Sequence, residues 1–242
     1  MNFTQHASSS KGNLYEVESL GRRILVDCGL SWKKVLRAIS HDLTTVDGIL
    51  LTHRHGDHSK SIVEATTKGC LDVYSSKETL DKVHPPASRR IHYIEAEKPF
   101  KIGPFDVYPF EVIHSDIHGN VHNLGFIITD ETGDRLLFAI DTTYIPVVLQ
   151  TKITHLAIEA NYDEIRLIQS VEEGNLPDFI SDRIRRSHMN WQETLRYASE
   201  DCDLSQCREI HLLHMSSTNI DKAKVVQAFQ DQFAAEVITD GL

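Results

Sequence analysis

The chain has 242 residues, 40% of them hydrophobic and 25% charged, with 12 Gly and 7 Pro. That composition excludes disorder, collagen-like repeats and low complexity, and the length suits one large domain or two small ones. The formal net charge is −10, from 25 Lys and Arg against 35 Asp and Glu. A fold that grips long nucleic acid by its phosphates usually carries a basic excess. The balance therefore argues against a polyanion grip and leaves room for a small anion held by local charges or by a metal.

The first half reads mainly as strands. LYEVES (14–19) and RRILVDCG (22–29) form a hairpin about Leu20-Gly21. Residues 32–40 have helical spacing, with Val35, Leu36 and Ile39 on one face. VDGILLT (46–52) is a buried-type strand. Residues 59–68 read as a helix with Ser59 as its N-cap. LDVYS is a short strand, a helix covers about 77–83, and Pro85-Pro86 breaks the chain. HYIEA, FDVYPFEVI, LGFIIT, RLLFAID and THLAIEA follow as β segments, with ETGDR as a hairpin turn. The stretch up to Glu200 is helical, REIHLLHM returns to strand, 219–233 is an amphipathic helix and AEVITD is a last strand. Residues 1–242 show no repeat and no linker and read as a single domain of mixed α/β class. Cys28, Cys70, Cys202 and Cys207 form no C-x-x-C pair and read as reduced thiols. The start has neither the basic nor the apolar region of a signal peptide, and no apolar run suits a membrane span. A cytoplasmic location without a membrane partner is expected.

The 14 His are the outlying count, and His is the commonest metal ligand. The strongest local signal is His53-Arg54-His55-Gly56-Asp57-His58, directly after the strand GILLT. Three imidazoles and a carboxylate in six residues cannot all share one strand face or one helix stripe. His53 and His55 alternate on extended chain and can lie on one side. Gly56 is expected to permit a turn that swings Asp57 and His58 toward a second centre. A two-metal site needs two such ligand sets, about 3.5–4 Å apart. Imidazole with carboxylate suits Zn, Mn or Fe. Three later candidates, His114, Asp141 and His214, each end a β run.

The H-R-H-G-D-H loop followed by His, Asp and His at strand ends resembles the metallo-β-lactamase superfamily. SSSKGNLYEVE, LVDCGLSWKKV, HGDHSKSI, AIDTTYI, IEANYDEIRL, RSHMNWQETL and LLHMSSTN resemble its YycJ-like branch. That branch contains exonucleases and phage hydrolases, and the anti-Pycsar cyclic-nucleotide phosphodiesterases are of the same general kind. The second half also resembles RNase Z. The resemblance implies a four-layer αββα sandwich of two mixed β-sheets with helices outside. It implies that His53, His55 and His114 bind one metal, that Asp57, His58 and His214 bind another, and that Asp141 bridges the two with a hydroxide between them. Two divalent ions are expected, Zn first and Mn as the other choice. Asp57 also counts among the catalytic groups. Glu159 and His188 resemble the Glu–His pair of RNase Z, in which the carboxylate charges the imidazole and the imidazolium protonates a departing oxygen. β-Lactam hydrolases lack that pair. The other reading of His188 is a residue at a helix start packing near Trp191.

His118, His122 and Ser9 are candidates for substrate contact; loop polarity and turn chemistry explain them equally. Ser8, Ser10 and Asn13 belong to the same polar N-terminal loop, which reads as lying near the metals or as turn chemistry alone. The YycJ-like pattern often has Asp directly after the metal-binding His, where this chain has Ser115 and then Asp116. Arg183, Arg185 and Arg186 form a basic cluster that reads as an anion site or as an exposed helix end. His6, His41, His84, His92, His155 and His211 read as structural or exposed. The expected activity is a di-metal phosphodiesterase for small nucleotides, cyclic mononucleotides first, in a phage counter-defence role in the host cytoplasm. The alternative is a YycJ-like 5′-to-3′ exonuclease on single-stranded DNA or RNA. Long nucleic acid is the less favoured partner, and the relatives imply a homodimer.

Overall fold

The computed structural model describes residues 1–86 and 88–239. The chain divides into two compact units, Met1–Phe110 with Phe126–Gly133, and Glu111–Gly125 with Asp134–Leu242.

The first unit is built on a sheet whose strands follow chain order: β1 (Asn2–Ala7), β2 (Leu14–Ser19), β3 (Arg22–Val26), β4 (Val46–Leu50), β5 (Val73–Ser75) and β6 (Ile91–Tyr93). β1, β2 and β3 are antiparallel, and β3 to β6 run parallel. Leu20 and Gly21 close the β2–β3 hairpin with φ of 52° and 74°, the positive pair that a type I′ turn needs. Parallel neighbours need crossovers. α1 (Trp32–Ala38) supplies the first, α2 (Gly56–Ser59) with α3 (Ile62–Thr67) the second, and α4 (Lys77–Val83) the third. Their apolar faces join Leu14, Leu25, Ile49, Leu51 and Val73 in one buried cluster with Val35, Ile62 and Leu80. Ser76 caps α4 by accepting the Thr79 N–H.

β7 (Phe100–Ile102) pairs antiparallel with the start of β8 (Phe105–Asp116). β8 and β9 (Gly119–Thr129) form a long hairpin whose tip belongs to the second unit. That unit continues through β10 (Arg135–Ala139), β11 (Leu149–Lys152), β12 (His155–Glu159), α5 (Glu164–Glu172), α6 (Asp178–Ser187), α7 (Trp191–Glu200), β13 (Cys202–Asp203), β14 (Glu209–Leu213), α8 (Lys222–Gln232) and β15 (Glu236–Thr239). β10, β12, β14 and β15 are successive parallel neighbours. The sheet order is β15-β14-β12-β10-β9-β8-β7. Leu136 to Ala139 and Leu156 to Ile158 are unbroken apolar runs with no solvent exposure, the pattern of parallel strands covered on both faces. Asp163, Asn190 and Asp221 cap α5, α7 and α8 with side-chain oxygens.

Several elements differ from expectation. β1 escapes the sequence pattern because NFTQHA is mostly polar and only partly buried, as an edge strand can be. β7, β11 and β13 are two to four residues long, too short to carry a period. Ser59 is not the N-cap of a helix over 59–68. It closes α2, where its hydroxyl donates to the Arg54 and His55 carbonyls at 3.1 and 3.0 Å, and Ser61 precedes α3. Asp240, the end of the predicted AEVITD strand, lies outside the described residues. The four cysteines are free thiols; burial pushes Cys202 up to about 12 and Cys207 up to about 11. Among the described residues, no helix is long and apolar enough to cross a membrane.

One close approach fixes the segment that follows β4. The Asn13 N–H donates to the Asp57 carbonyl at 2.7 Å, and the Cys28 N–H donates to the His58 carbonyl at 2.7 Å. Gly29 lies between these bonds, and a Cβ there would sit 1.6 Å from the Asp57 oxygen. Both partners are backbone, so neither can rotate aside. Gly29→Ala should therefore destabilise the protein by about 1–3 kcal/mol, the usual cost of overpacking. Denaturant unfolding checks this, and an unchanged midpoint would contradict the packing.

Candidate metal centre

The chain leaves β4, bends at Arg54 and is extended at His55, whose φ and ψ are −60° and 146°. Helix α2 then starts at Gly56. The reversal is a helical turn entered from His55. Gly56 is not in the left-handed region, so the expected glycine-specific turn is corrected. His53 Nε2 lies 3.0 Å from His55 Nδ1, and the His53 and His58 rings are 4.1 Å apart. His58 Nε2 is 3.7 Å from an Asp57 oxygen. His53 and His58 are fully buried, while the Asp57 side chain is 27% exposed.

The far nitrogens of these rings are held by acceptors. His58 Nδ1 is 2.6 Å from Asp27 Oδ2. A carboxylate only accepts, so Nδ1 carries the hydrogen and Nε2 keeps its lone pair. Asn13 Nδ2 donates to that lone pair at 2.9 Å. The Thr52 hydroxyl donates to Asp27 at 2.9 Å and lies 3.0 Å from His53 Nδ1. Its one hydrogen is committed to Asp27, so His53 Nδ1–H donates to it, and the His53 lone pair is also at Nε2. Asp27 itself is fully buried and sits at φ 62° just past β3.

The second unit repeats the device. His114, near the tip of β8, donates from Nδ1 to the Ser187 carbonyl at 3.2 Å. A carbonyl also only accepts, so the His114 lone pair is again at Nε2. Asp141 and His214 follow β10 and β14, with φ of 50° and 52°. A left-handed residue with a side chain costs roughly 1–2 kcal/mol, and such strain gathers at functional positions. Asn123 Nδ2 donates to the carbonyls of Ile140 and Asp141 at 2.9 and 2.7 Å and holds that corner. Asp141, Glu159, His188 and His214 each present a ligand-type atom within 4.8 Å of the others. His214 departs from the pattern. Asn161 Nδ2 donates to its carbonyl at 2.7 Å and to its Nδ1 at 3.0 Å, so a metal at His214 Nε2 requires the Asn161 amide to turn.

Glu159 is fully buried at the end of β12. Its Oε2 accepts the Thr142 N–H at 2.9 Å, and its Oε1 accepts from His188 Nδ1 at 2.6 Å. His188 follows α6 as its C-cap. It is not at a helix start, and its ring lies 5.0 Å from the His214 ring and 3.6 Å from Asp141 Oδ1. Burial alone would lower its pKa; the Glu159 charge and hydrogen bond, with Asp141 behind, outweigh burial and raise it.

The donor set fits a divalent cation on chemical grounds. It combines imidazole nitrogens whose lone pairs are aimed by outer acceptors with carboxylate oxygens. A family model for the beta-lactamase superfamily domain matches residues 22–215. The chain belongs to the metallo-β-lactamase superfamily. It is 26% identical over 230 residues to exodeoxyribonuclease YycJ of Bacillus anthracis, covering 90% of this chain and 84% of that protein. Over 46 residues it is 48% identical to anti-Pycsar protein Apyc1 of Bacillus phage 010DV004, which is 19% of this chain and 18% of that protein. Its fold matches the metallo-β-lactamase fold protein YhfI of Bacillus subtilis with a TM-score of 0.73 at 19% identity, over 98% of this chain and 95% of that one. Within the metallo-β-lactamase superfamily it is a metal-dependent hydrolase.

The weaker candidates have local structural contacts. The Ser9 hydroxyl accepts the Lys11 N–H at 3.2 Å, a turn contact. His122 lies 3.6 Å from Glu111 and lines a hairpin cavity of about 240 Å³ that His114 also lines. His118 is exposed, and its N–H donates to Asp116 Oδ1 at 2.7 Å. His6, His92 and His211 pair with Glu16, Asp72 and Glu209. His155 is buried against Thr154, while His41 and His84 take left-handed turn positions. The sequence reading missed Asp27, Thr52, Asn123 and Asn161. For Asp27 there was a signal, a lone carboxylate ending the apolar run ILV. Asn13, expected in a polar loop near the metals, does reach His58.

Glu159→Gln removes the charge that raises His188. Its imidazole should then titrate at lower pH, as followed by NMR of the ring protons in metal-free protein. A raised folded pKa contributes stability below the ordinary value of about 6.5 and loses it as pH rises through the raised value. The stability gap between wild type and variant should therefore close on the alkaline side. An unshifted His188 titration would contradict the pairing.

Proposed function

We propose that the chain, acting as one hydrolase domain, is a dinuclear phosphodiesterase for small nucleotides, with cyclic mononucleotides as the first substrate class. The observation that carries it is the pairing of the buried Glu159 with the half-buried His188 beside Asp141. A sugar alkoxide is a poor leaving group and needs a proton as the P–O bond breaks. His188, charged by Glu159, can supply that proton from its ring. His53, His55 and His114 would hold one metal, Asp57, His58 and His214 the other, with Asp141 shared. Zn suits the imidazole-rich set, and Mn is the other choice. Bound there, two dications would make water acidic enough to attack at neutral pH and would neutralise phosphate charge. His118, His122 and Ser9 would sit at the substrate's approach, and the chain would work as a homodimer in the cytoplasm.

The −10 charge and the short match to the anti-Pycsar protein support a small substrate. The match to exodeoxyribonuclease YycJ over 90% of the chain favours a second reading, removal of nucleotides from single-stranded DNA or RNA ends. One panel separates them: metal-loaded protein with cyclic CMP, UMP, AMP and GMP, and with end-labelled single strands. The proposal expects turnover of a cyclic nucleotide that His55→Ala abolishes. Turnover of labelled strands alone selects the second reading, and no turnover of either sinks both. Asp27→Ala leaves His58 Nδ1 without its acceptor. It should weaken metal binding about 10–100-fold, measured by competition with a chelating dye.

A further inference from the structure

A second cavity of about 240 Å³ lies wholly within the second unit. Ile117 at the β8–β9 tip forms one side, and Phe179, Arg183 and Arg186 of α6 form the other. On α6 those residues recur at i, i+4 and i+7, so they make one stripe. Phe179 is 70% exposed and Ile117 82% exposed, which leaves an apolar slot open to solvent.

The charges around the slot are unevenly committed. Arg185, on the neighbouring face of α6, pairs with Glu164 at 2.9 Å and lies 3.7 Å from Asp182. Asp116 Oδ1 accepts the His118 N–H. Among the described residues no carboxylate pairs with Arg183 or Arg186. The slot therefore offers two guanidinium groups without a carboxylate partner among the described residues, while Asp182 faces Arg185 and Asp116 keeps its charge.

The slot also shares a wall with the candidate centre. Ser187 Oγ donates to the Ser115 carbonyl at 2.9 Å, and the Ser187 carbonyl accepts from His114 Nδ1. His188, the proton donor of the proposed reaction, is the next residue. From Arg186 to Phe179 the helix covers about 10 Å, seven residues at ~1.5 Å each. That span is comparable with a nucleotide laid from phosphate to base.

We propose that this slot is a nucleobase subsite, with the base packed between Phe179 and Ile117 and with Arg186 and Arg183 against the nucleotide's phosphate. The assignment rests on the phosphodiesterase reading and deepens it by naming where the base goes. Apolar and aromatic faces take any base, because every base has a π face. The cavity is smaller than the ~300–1,000 Å³ of a drug-sized ligand's pocket, so it takes one base and no stacked pair.

Phe179→Trp tests it directly, since the side chain is 70% exposed and leaves the buried core untouched. Metal-loaded variant and wild type are titrated with CMP, AMP and ribose 5-phosphate while tryptophan fluorescence is read. The proposal expects saturable quenching of the variant by CMP and AMP, beyond any change in wild type, and none by ribose 5-phosphate. It also expects Phe179→Ala and Arg186→Ala each to weaken CMP binding about tenfold by calorimetry. Equal quenching by ribose 5-phosphate, or CMP affinity unchanged in Phe179→Ala, overturns the subsite. Wild-type turnover of bis(p-nitrophenyl) phosphate is read separately. If it is absent while base-dependent quenching persists, the phosphodiesterase reading fails and the subsite stands. If it is present without quenching, the subsite fails alone.

Discussion

The buried Asp27 carboxylate is the contact on which the ligand loop of the first unit depends. It takes a hydrogen from His58 Nδ1 and another from the Thr52 hydroxyl, and Thr52 in turn faces His53 Nδ1. One carboxylate thereby fixes the hydrogen on two imidazoles and leaves both lone pairs on the opposite nitrogens. A neutral imidazole has one lone pair to give, so a metal site needs this choice made before the metal arrives. The Ser187 carbonyl makes the same choice for His114. The backbone cooperates, since the segment carrying Asp57 and His58 is hydrogen-bonded to Asn13 and Cys28 across the side-chain-free surface of Gly29.

Acidic composition and phosphate chemistry are compatible on these terms. The chain carries −10, but the field that matters is local. Two dications would supply it at the ligand set, and Arg183 and Arg186 would add to it along α6. The strained corners follow the same logic. Asp27, Asp141 and His214 all sit in the left-handed region at the ends of β3, β10 and β14. Each follows within two residues of a strand that has a parallel neighbour, so little chain separates the side chain from the sheet.

Much of this was legible in the sequence because it lies in patterns. The hairpin of β2 and β3 and the apolar strands β10, β12 and β14 have clear periods or runs. The His53–His58 motif is dense enough to stand out alone, and its family resemblance extended to Glu159 and His188. The outer acceptors were not legible. Asp27 and Thr52 are single polar residues closing apolar runs, and their partners are 31 and 25 positions away in contacts that only the fold creates. Asn161 and Asn123 act through amide groups that look like loop polarity. Edge strand β1 was missed because its partial exposure erases alternation. Gly56 was expected to supply a turn that α2 makes without a left-handed residue, and Gly29 was missed because close approach between backbones leaves no trace in local spacing.

The central claim is that these oriented imidazoles and carboxylates hold two metal ions. The direct measurement is the number of divalent ions retained per chain after extensive dialysis, by inductively coupled plasma mass spectrometry. The account predicts two, falling in His55→Ala. A wild-type protein reloaded with Zn or Mn that retains less than one ion per chain would contradict it.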